Sequence, residues 1–345
     1  MRNLVRVSSL AALCAVSANF LSAQQQQGSA PPPPWAYGFA TPPDPSAPPA
    51  AQGAGQRGGG GRGGGAAPAP DTTKRTVAGS TASFTLAQIR DGFGPADWFP
   101  NDHPQMPPIV AQGRRDAMIT ACSLCHYPNG KGRPENAGVS GLPVEYFIKT
   151  MTDFKNDARK SADSRKTNTT RMIQFAKAMT DDEIKAAATY FGSMKWTPWV
   201  KVVETNEVPK TRIAGGMFIP MEGAEAGKEP IGQRIIEVPE NGEQTETLRN
   251  PRSSFIAYVP SGSIKKGEAV ATRGQCAVCH GADLTGLGPV PGIAGRSPSY
   301  LVRQMYDMQR GVRSGSWSEL MKRVVAPMSA DDMLNVAAYV AAKAP

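Results

Sequence analysis

One five-residue stretch decides the fold of this chain, and it occurs twice, as CSLCH at 122–126 and as CAVCH at 276–280. The pattern Cys-x-x-Cys-His is the attachment signature of c-type haem. Two thiols one helical turn apart reach the two vinyl groups of one porphyrin, and the adjoining histidine then ligates the iron from below the ring. The sequence therefore predicts two covalently bound c-type haems, attached and ligated by Cys122, Cys125, His126, Cys276, Cys279 and His280.

Zinc sites and dithiol redox sites also use Cys-x-x-Cys. The two pairs are about 150 residues apart, which is far from the compact spacing of a zinc ribbon. A thioredoxin-like dithiol would need a βαβ context that the helical pattern described below does not offer. Neither reading explains a histidine directly after both pairs, so haem is the favoured interpretation.

Residues 1–23 have the features of a secretory signal peptide. Arg2 and Arg6 form a basic start, a largely apolar run follows at 10–20, and small residues offer a cleavage site before position 24. The run is too short for a spanning helix, which needs about 20 apolar residues. Its removal would take Cys14 with it and leave only the four pentapeptide thiols. Because bacteria attach haem after export, we expect a periplasmic protein of a Gram-negative bacterium with no transmembrane segment in the mature chain.

The charge balance is moderately basic, with 38 Lys and Arg against 29 Asp and Glu. Such a surface suggests docking to acidic partners, at rates that fall as salt rises. Arg57 and Arg62 lie among glycines, as in some RNA-binding repeats, but no aromatic residue is interleaved with them. We therefore expect no nucleic-acid partner.

The chain contains an internal repeat. The spacing from His126 to Tyr146 is the same as the spacing from His280 to Tyr300. A second spacing is shared by two Met–Tyr pairs, Met172 with Tyr190 and Met321 with Tyr339. Matched landmarks in the same order indicate a duplicated domain, and copies of this size are complete domains rather than solenoid units.

Each copy has a helical pattern. The last helix of each is predicted to begin at Thr180 or Ser329, with an acidic residue three positions later, as in a capping box. Apolar residues then recur at helical spacing, which indicates a core face: Ile184, Ala187, Ala188 and Phe191, and Met333, Val336, Ala337 and Val340. Residues 200–260 lack this period and have no counterpart in the other copy, so we expect a loop with one or two short strands.

This layout resembles the class I cytochrome c family, and more closely its bacterial di-haem members, which are built from two fused cytochrome c domains. The resemblance covers about residues 97–199 and 262–344. It implies a mostly α fold with two tandem cytochrome c-like helical domains. It does not account for the irregular, short-strand segment expected at 200–260 between them. Residues 24–80, which are rich in Pro and Gly, are expected to form a disordered tether.

The resemblance also implies the second axial ligands. In the family, a methionine before the last helix binds the opposite face of the iron, which matches Met172 and Met321; Met179 and Met328 are the nearest competitors. Outside candidates are Met217 and Met221. His103 could also be an axial ligand, but a structural role is favoured for it. Family members also place a proline whose carbonyl orients the ligand histidine. Pro291 matches, whereas Ala137 takes that place in the first copy, so we expect looser control of His126.

The predicted function is electron transfer, without a catalytic residue. The donor would be a periplasmic dehydrogenase and the acceptor a terminal oxidase or another cytochrome, with four basic residues near the haem edges: Lys131, Arg133, Arg296 and Arg303. A di-haem peroxidase is the enzymatic alternative, but it would need an open iron face and an acid–base group above it. A third possibility is the tethered cytochrome subunit of a dehydrogenase complex.

Overall fold

The structure is a computed structural model, and it describes residues 31–44 and 71–345. The signal peptide expected at 1–23 and most of the expected tether lie outside the described residues. Among the described helices, none combines the length and the apolar composition needed to cross a bilayer. The described residues from 33 onward belong to one compact unit, in which one helical region precedes the middle segment 200–260 along the chain and another follows it. We refer to residues 97–199 as region 1 and to residues 262–344 as region 2.

Short helices lead into region 1, and three longer ones follow its pentapeptide. In chain order they are α1 Pro34–Tyr37, α2 Leu86–Ile89, α3 Pro108–Ala111, α4 Cys122–His126, α5 Val144–Lys155, α6 Thr167–Ala178 and α7 Asp181–Gly192. The capping box predicted at Thr180 is present, because its side chain accepts from the amide of Glu183 while the Glu183 carboxylate accepts from the amide of Thr180. The predicted apolar stripe of α7 is buried in the core of region 1, against α5.

The middle segment contains more strand than we expected. Its strands are β1 Val200–Thr205, β2 Glu207–Pro209, β3 Thr211–Ala214, β4 Met217–Pro220, β5 Lys228–Pro230, β6 Ile236–Pro239 and β7 Phe255–Pro260. They form one three-stranded sheet in the order β1-β7-β6, in which β1 and β7 are parallel, and two antiparallel pairs, β2-β5 and β3-β4. A short 3-10 turn (Gly223–Glu225) and a π turn (Glu243–Thr247) complete it. The expectation of one or two short strands was wrong. Strand β7, for example, alternates buried and partly buried residues over a run too short to recognise from the sequence alone.

Region 2 repeats the helical order of region 1. Its elements are α8 Ser263–Arg273, α9 Cys276–His280, the paired strands β8 Gly286–Leu287 and β9 Val290–Pro291, α10 Pro298–Gln309, α11 Ser318–Val325 and α12 Ala330–Ala342. Helices α8 and α12 cross closely at Gly267, where any side chain would collide with the backbone of Asn335. The second predicted capping box joins Ser329 and Asp332.

The structure differs from the disordered tether expected over residues 24–80, in both parts that it describes. Tyr37 is fully buried, and Trp35 packs against the core of region 2. Farther along, Val77 is buried and the backbones of Arg75 and Phe84 pair. Large aromatic side chains bury enough apolar surface to offset the entropy lost on ordering, which the neighbouring Pro and Gly residues do not.

Candidate functional site

The first pentapeptide forms one wall of a large cavity. About 1550 Å³ of empty space, part of it open to solvent, lies against Cys122, Cys125 and His126. The lining is largely apolar and includes four phenylalanine rings: Phe147, Phe154, Phe175 and Phe191. We call this space the first cavity.

Both pentapeptide histidines are oriented in the same way. The Nδ1 of His126 donates to the carbonyl oxygen of Ala137 at 2.8 Å, and the Nδ1 of His280 donates to that of Pro291, also at 2.8 Å. Since a carbonyl only accepts, each ring carries its proton on Nδ1, and Nε2 keeps a lone pair for a metal. Burial lowers the pKa of both rings, which favours this neutral form. The expected looser control of His126 is not seen in the hydrogen-bond length.

The backbone around each histidine has the same hydrogen-bond pattern, which we call the histidine frame. The carbonyls of Gly130 and Leu284, four positions after the respective histidines, each accept two amide hydrogen bonds from the returning loop. Gly141 and Gly295 then turn with positive φ angles of 69° and 67°. Their amides donate to carbonyls of the last helices, at Phe191 and Val340. The matched spacings of the sequence therefore correspond to matched contacts.

Two methionines border the first cavity. Met172 lies within α6 and is partly buried, whereas Met179 ends that helix and is almost fully buried. In region 2, Met321 lies on α11 and packs in the same cluster as Cys276. The methyl group of Met328 and the sulfur of Cys276 both lie near Gly274. The structure thus places Met172, Met179 and Met328 close to a pentapeptide, and Met321 in the same apolar cluster as Cys276.

The other proposed ligands lie elsewhere. Met217 is buried in a separate aromatic cluster with Trp196 and Trp199. Met221 is not among the residues that line the first cavity. His103 is held outside the cavity, where its Nδ1 donates to the carbonyl of Pro104 and its Nε2 faces the carboxylate of Asp97. These contacts agree with a structural role.

The lining of the first cavity includes a set of buried cations, which we call the cationic wall, and sequence reasoning did not find it. Its four buried cations come from the loop before α6 and from α10 and the turn that precedes it: Arg159, Lys166, Arg296 and Arg303. Two buried acidic residues share the lining, Glu135 and Asp307, so the cations are in excess. Burial lowers the pKa of Arg296 to about 10 and that of Lys166 well below its usual value. Buried cations of this kind call for anionic partners.

The cavity as a whole fits a haem. Its lining combines aromatic rings, two thiols and a neutral imidazole with several buried cations. Haem has the matching character, with an apolar macrocycle and two carboxylates on one edge. The described partners of the Arg296 guanidinium are carbonyl oxygens and the ring of Trp196, which leaves its charge without a described carboxylate.

The expected basic rim is mostly absent from the surface. Arg296 and Arg303 are only 5% and 4% exposed, and the side chain of Arg133 is paired with Glu135. Lys131 is partly buried, with its ammonium group against Thr197 and over the ring of Trp199. The expectation of a docking rim was wrong for Arg296 and Arg303, because contacts with region 1 and with Ala36 bury them.

The contact between regions 1 and 2 is reciprocal. Arg159 donates to the hydroxyl of Tyr300 at 3.0 Å, and Arg313 donates to the hydroxyl of Tyr146 at 2.9 Å. Each arginine follows the tyrosine of its own region at the same spacing. Both also donate to the side-chain oxygen of Gln304, and their backbones form an antiparallel bridge. Equivalent residues therefore exchange partners, as in a two-fold interface between identical subunits.

The second pentapeptide is more exposed than the first. Val278 is 71% exposed and Cys279 is exposed, whereas no residue of Cys122–His126 is. In region 1, α3 covers the pentapeptide, and the Ser123 hydroxyl donates to the carbonyl of Val110 at 2.8 Å. His280 itself remains buried.

Comparison with known proteins identifies similar chains. The sequence profile described as cytochrome c matches residues 110–195. Cytochrome c-554(548) of Halomonas halodenitrificans is 35% identical over 77 residues, which are 21% of this chain and 93% of that protein. The cytochrome subunit of sulfide dehydrogenase of Chlorobaculum tepidum is 30% identical over 106 residues, or 31% of this chain and 88% of that subunit.

A longer similarity, at lower sequence identity, is to the thiosulfate dehydrogenase electron acceptor of Stutzerimonas stutzeri. It is 23% identical over 237 residues, which are 68% of this chain and 83% of that protein. Among solved structures, cytochrome c4 of Acidithiobacillus ferrooxidans has a TM-score of 0.40 at 20% identity, covering 64% of this chain and 97% of that one. That score is too low to support a functional argument.

Proposed function

The chain belongs to the cytochrome c family, and from this premise we propose that it is a periplasmic di-haem cytochrome that carries single electrons between redox proteins. The observation that carries the proposal is the duplicated histidine frame. Each Cys-x-x-Cys-His is followed at the same spacing by a carbonyl that accepts from the histidine Nδ1. Two copies of one haem-binding frame in one compact unit suit a relay of electrons.

We assign residues 97–199 and 262–344 to two fused cytochrome c domains. The crossed Arg–Tyr contacts support this division, because a two-fold exchange of partners is expected when two copies of one domain pack together. The middle segment 200–260 is then an insertion with its own small sheet.

Each domain would attach its haem and ligate the iron with its own residues, while residues of both domains would surround the first haem. Cys122 and Cys125, or Cys276 and Cys279, form thioether bonds that fix the macrocycle. The adjoining histidine, whose tautomer is set by the carbonyl hydrogen bond, presents Nε2 to the iron. Arg296, Arg303 and Lys166 would balance the carboxylates of the first haem. When bound, the haem supplies an iron that gains and loses one electron.

Met172 and Met321 are our proposed second ligands. Met172 projects from the middle of α6 and is less buried than Met179. Met179 is restrained by its place directly before the capping residue Thr180, where it serves the core. Thioether ligation raises the reduction potential and closes the iron to exogenous ligands, which suits an electron carrier better than a peroxidase.

The electron donor is proposed to be a dehydrogenase, with an oxidase or another cytochrome as acceptor. Two relatives support the donor, because one is named an electron acceptor of thiosulfate dehydrogenase and the other a cytochrome subunit of sulfide dehydrogenase. The same names support the second candidate, in which this chain is the cytochrome subunit of a dehydrogenase complex.

The proposal is tested first by haem content. Exported, purified protein should carry two haems per chain, measured by intact mass and by the pyridine haemochrome spectrum. Replacing both thiols of either pentapeptide by alanine should leave one haem. A colourless protein, or one haem in the unmodified chain, would contradict the di-haem assignment.

Ligand identity is tested by the weak charge-transfer band of Met-ligated ferric haem near the red edge of the visible spectrum. Met172→Ala and Met321→Ala should each remove about half of it, whereas the matched controls Met179→Ala and Met328→Ala should retain it. The reverse result would exchange the ligand assignment. Peroxide turnover by the unmodified protein would favour the peroxidase alternative.

A further inference from the structure

We propose that residues 33–42, which we call the N-terminal strap, tune the reduction potential of the first haem by positioning Asp307 and Arg303 at the cationic wall of its cavity. This inference rests on the proposed function, because it assumes a haem at Cys122 and Cys125. It assigns a role in electron transfer to a segment that lies outside both haem-binding domains.

The strap contacts the cavity wall through two hydrogen bonds. The hydroxyl of Tyr37, which is fully buried, donates to Oδ1 of Asp307 at 2.7 Å. The guanidinium of Arg303 donates to the carbonyl oxygen of Ala36 at 2.6 Å. Both Asp307 and Arg303 line the first cavity, although they belong to α10 of region 2. The strap therefore holds one anion and one cation that face the haem.

The other end of the strap is clamped by region 1. Arg165 donates to the carbonyl of Thr41 at 3.0 Å, and its guanidinium lies 4.0 Å from the centre of the Phe39 ring. Between the two ends, Gly38 turns with φ of 83° directly against the backbone of Gly216, where a side chain would collide. With both ends and the middle held, Tyr37 has one position relative to Asp307.

The charge state of Asp307 is the quantity that the strap controls. Burial raises the pKa of this carboxyl, and hydrogen bonds from the amide of Ala162 and the hydroxyl of Tyr37, together with Arg303 and Arg313, oppose that rise. Gln304 also faces it. In a buried site the attraction or repulsion between charges is much stronger than in water. A negative charge on Asp307 therefore disfavours reduction of the first haem, and protonation of Asp307 favours that reduction.

Loss of the Tyr37 hydroxyl removes one of the contacts that favour the ionised form of Asp307. The carboxyl then takes up a proton more readily, and the first haem becomes easier to reduce. If the strap only stabilised the fold, loss of its contact would lower the unfolding temperature of the protein without changing either reduction potential. The two roles are therefore separable by measurement.

The test is a spectroscopic redox titration of the haem-loaded, full-length protein. The two steps are assigned in the Met321→His variant, because imidazole in place of thioether lowers only the step of the second haem. Tyr37→Phe should raise the midpoint of the first step and leave the second with a smaller change or none. Asp307→Asn should raise the same midpoint by at least as much.

The double variant decides whether Tyr37 acts through Asp307. In the Asp307→Asn background, Tyr37→Phe should cause no further shift. Tyr258→Phe is the matched control, because this partly buried tyrosine packs in a cluster that also contacts the strap residue Trp35 but does not line the first cavity, and it should leave both steps unchanged. Should Tyr37→Phe fail to accumulate, Phe39→Ala releases the strap at its other end without changing a charge, and it should move the first midpoint in the same direction.

Unchanged midpoints in Tyr37→Phe and Phe39→Ala, with two haems bound, would overturn the inference and leave the strap a structural element. A downward shift, or a full further shift in the double variant, would overturn the route through Asp307. Absence of haem from the unmodified protein would instead refute the proposed function, so the two failures are distinguishable.

Discussion

The two pentapeptides have the same local geometry but different surroundings. In both, the histidine donates to a carbonyl at 2.8 Å, and a positive-φ glycine connects the loop to the last helix. The first is enclosed by α3 and by residues of region 2 that line its cavity, whereas the second exposes Val278 and Cys279. Local sequence thus determines how the histidine is oriented, and tertiary packing determines what surrounds the haem.

The largest expected difference between the regions is in core packing. It concerns the residue that follows Tyr190 in region 1 and the one that follows Tyr339 in region 2. Phe191 in region 1 is buried against Phe147 and His126, and its counterpart Val340 is smaller. Phe191→Ala should lower the free energy of unfolding by about 3–5 kcal/mol, because it leaves a cavity beside the haem. Val340→Ala should cost about 2 kcal/mol. Equal losses in denaturant titrations would show that the two cores are packed equally.

The two crossed Arg–Tyr contacts should contribute equally to stability, unlike the two core residues. Arg159→Gln and Arg313→Gln each remove a buried, charged hydrogen-bond donor from a tyrosine and should each cost about 1.5–3 kcal/mol. A large effect of only one variant, in the same denaturant titrations, would contradict a two-fold interface.

The same pair has a pH dependence. Burial alone would raise the pKa of Tyr146, but the guanidinium groups of Arg313 and Arg159 outweigh it and lower the pKa to about 8. A folded pKa below the unfolded value of about 10 adds stability that is fully present above pH 10 and is lost as the pH falls through about 8. The stability lost in Arg313→Gln should therefore be larger near pH 10 than near pH 7, and NMR of ring-labelled tyrosine should show a raised pKa of Tyr146 in that variant. A stability loss that does not vary with pH would contradict this account.

The two capping boxes should be equivalent. Thr180→Ala and Ser329→Ala each remove the hydroxyl that accepts from the third amide of the last helix, and each should cost about 1 kcal/mol. Thermal unfolding measures both, with Thr189→Ala, on an exposed face of α7, as a control for helix propensity. A cost confined to one helix would mean that one cap is replaced by other contacts.

The smallest effect concerns His103, which region 2 lacks. Burial opposes its charged form, but the hydrogen bonds with Asp97 and Pro104 outweigh burial and raise its pKa. Stability from this contact is present below the unfolded pKa of about 6.5 and is lost as the pH rises through the folded pKa. Asp97→Asn should therefore cost less than about 1 kcal/mol near pH 5.5 and nothing near pH 8.5. A loss that grows with pH would show that His103 is not the partner.

Several features could be predicted from the sequence because they depend on neighbours within a few turns. The capping boxes at Thr180 and Ser329 and the stripe from Ile184 to Phe191 are confirmed. The carbonyl of Ala137 lies where the spacing from His126 placed it. The choice of Met172 and Met321 as iron ligands stays a prediction. Strand content was underestimated, because β1 and β7 pair across the whole stretch 206–254, and no local pattern connects them.

By itself, the sequence determined two Cys-x-x-Cys-His sites, their repeated spacing and the helical outline around them, since covalent spacing and helix period are local properties. Only the tertiary structure decided that Arg296 and Arg303 are buried rather than on a docking rim, and that Arg159 and Arg313 exchange tyrosine partners. It also placed Tyr37 on Asp307, 270 positions away. The physical reason is that burial and charge environment depend on which distant segments meet, and composition along the chain does not encode that meeting.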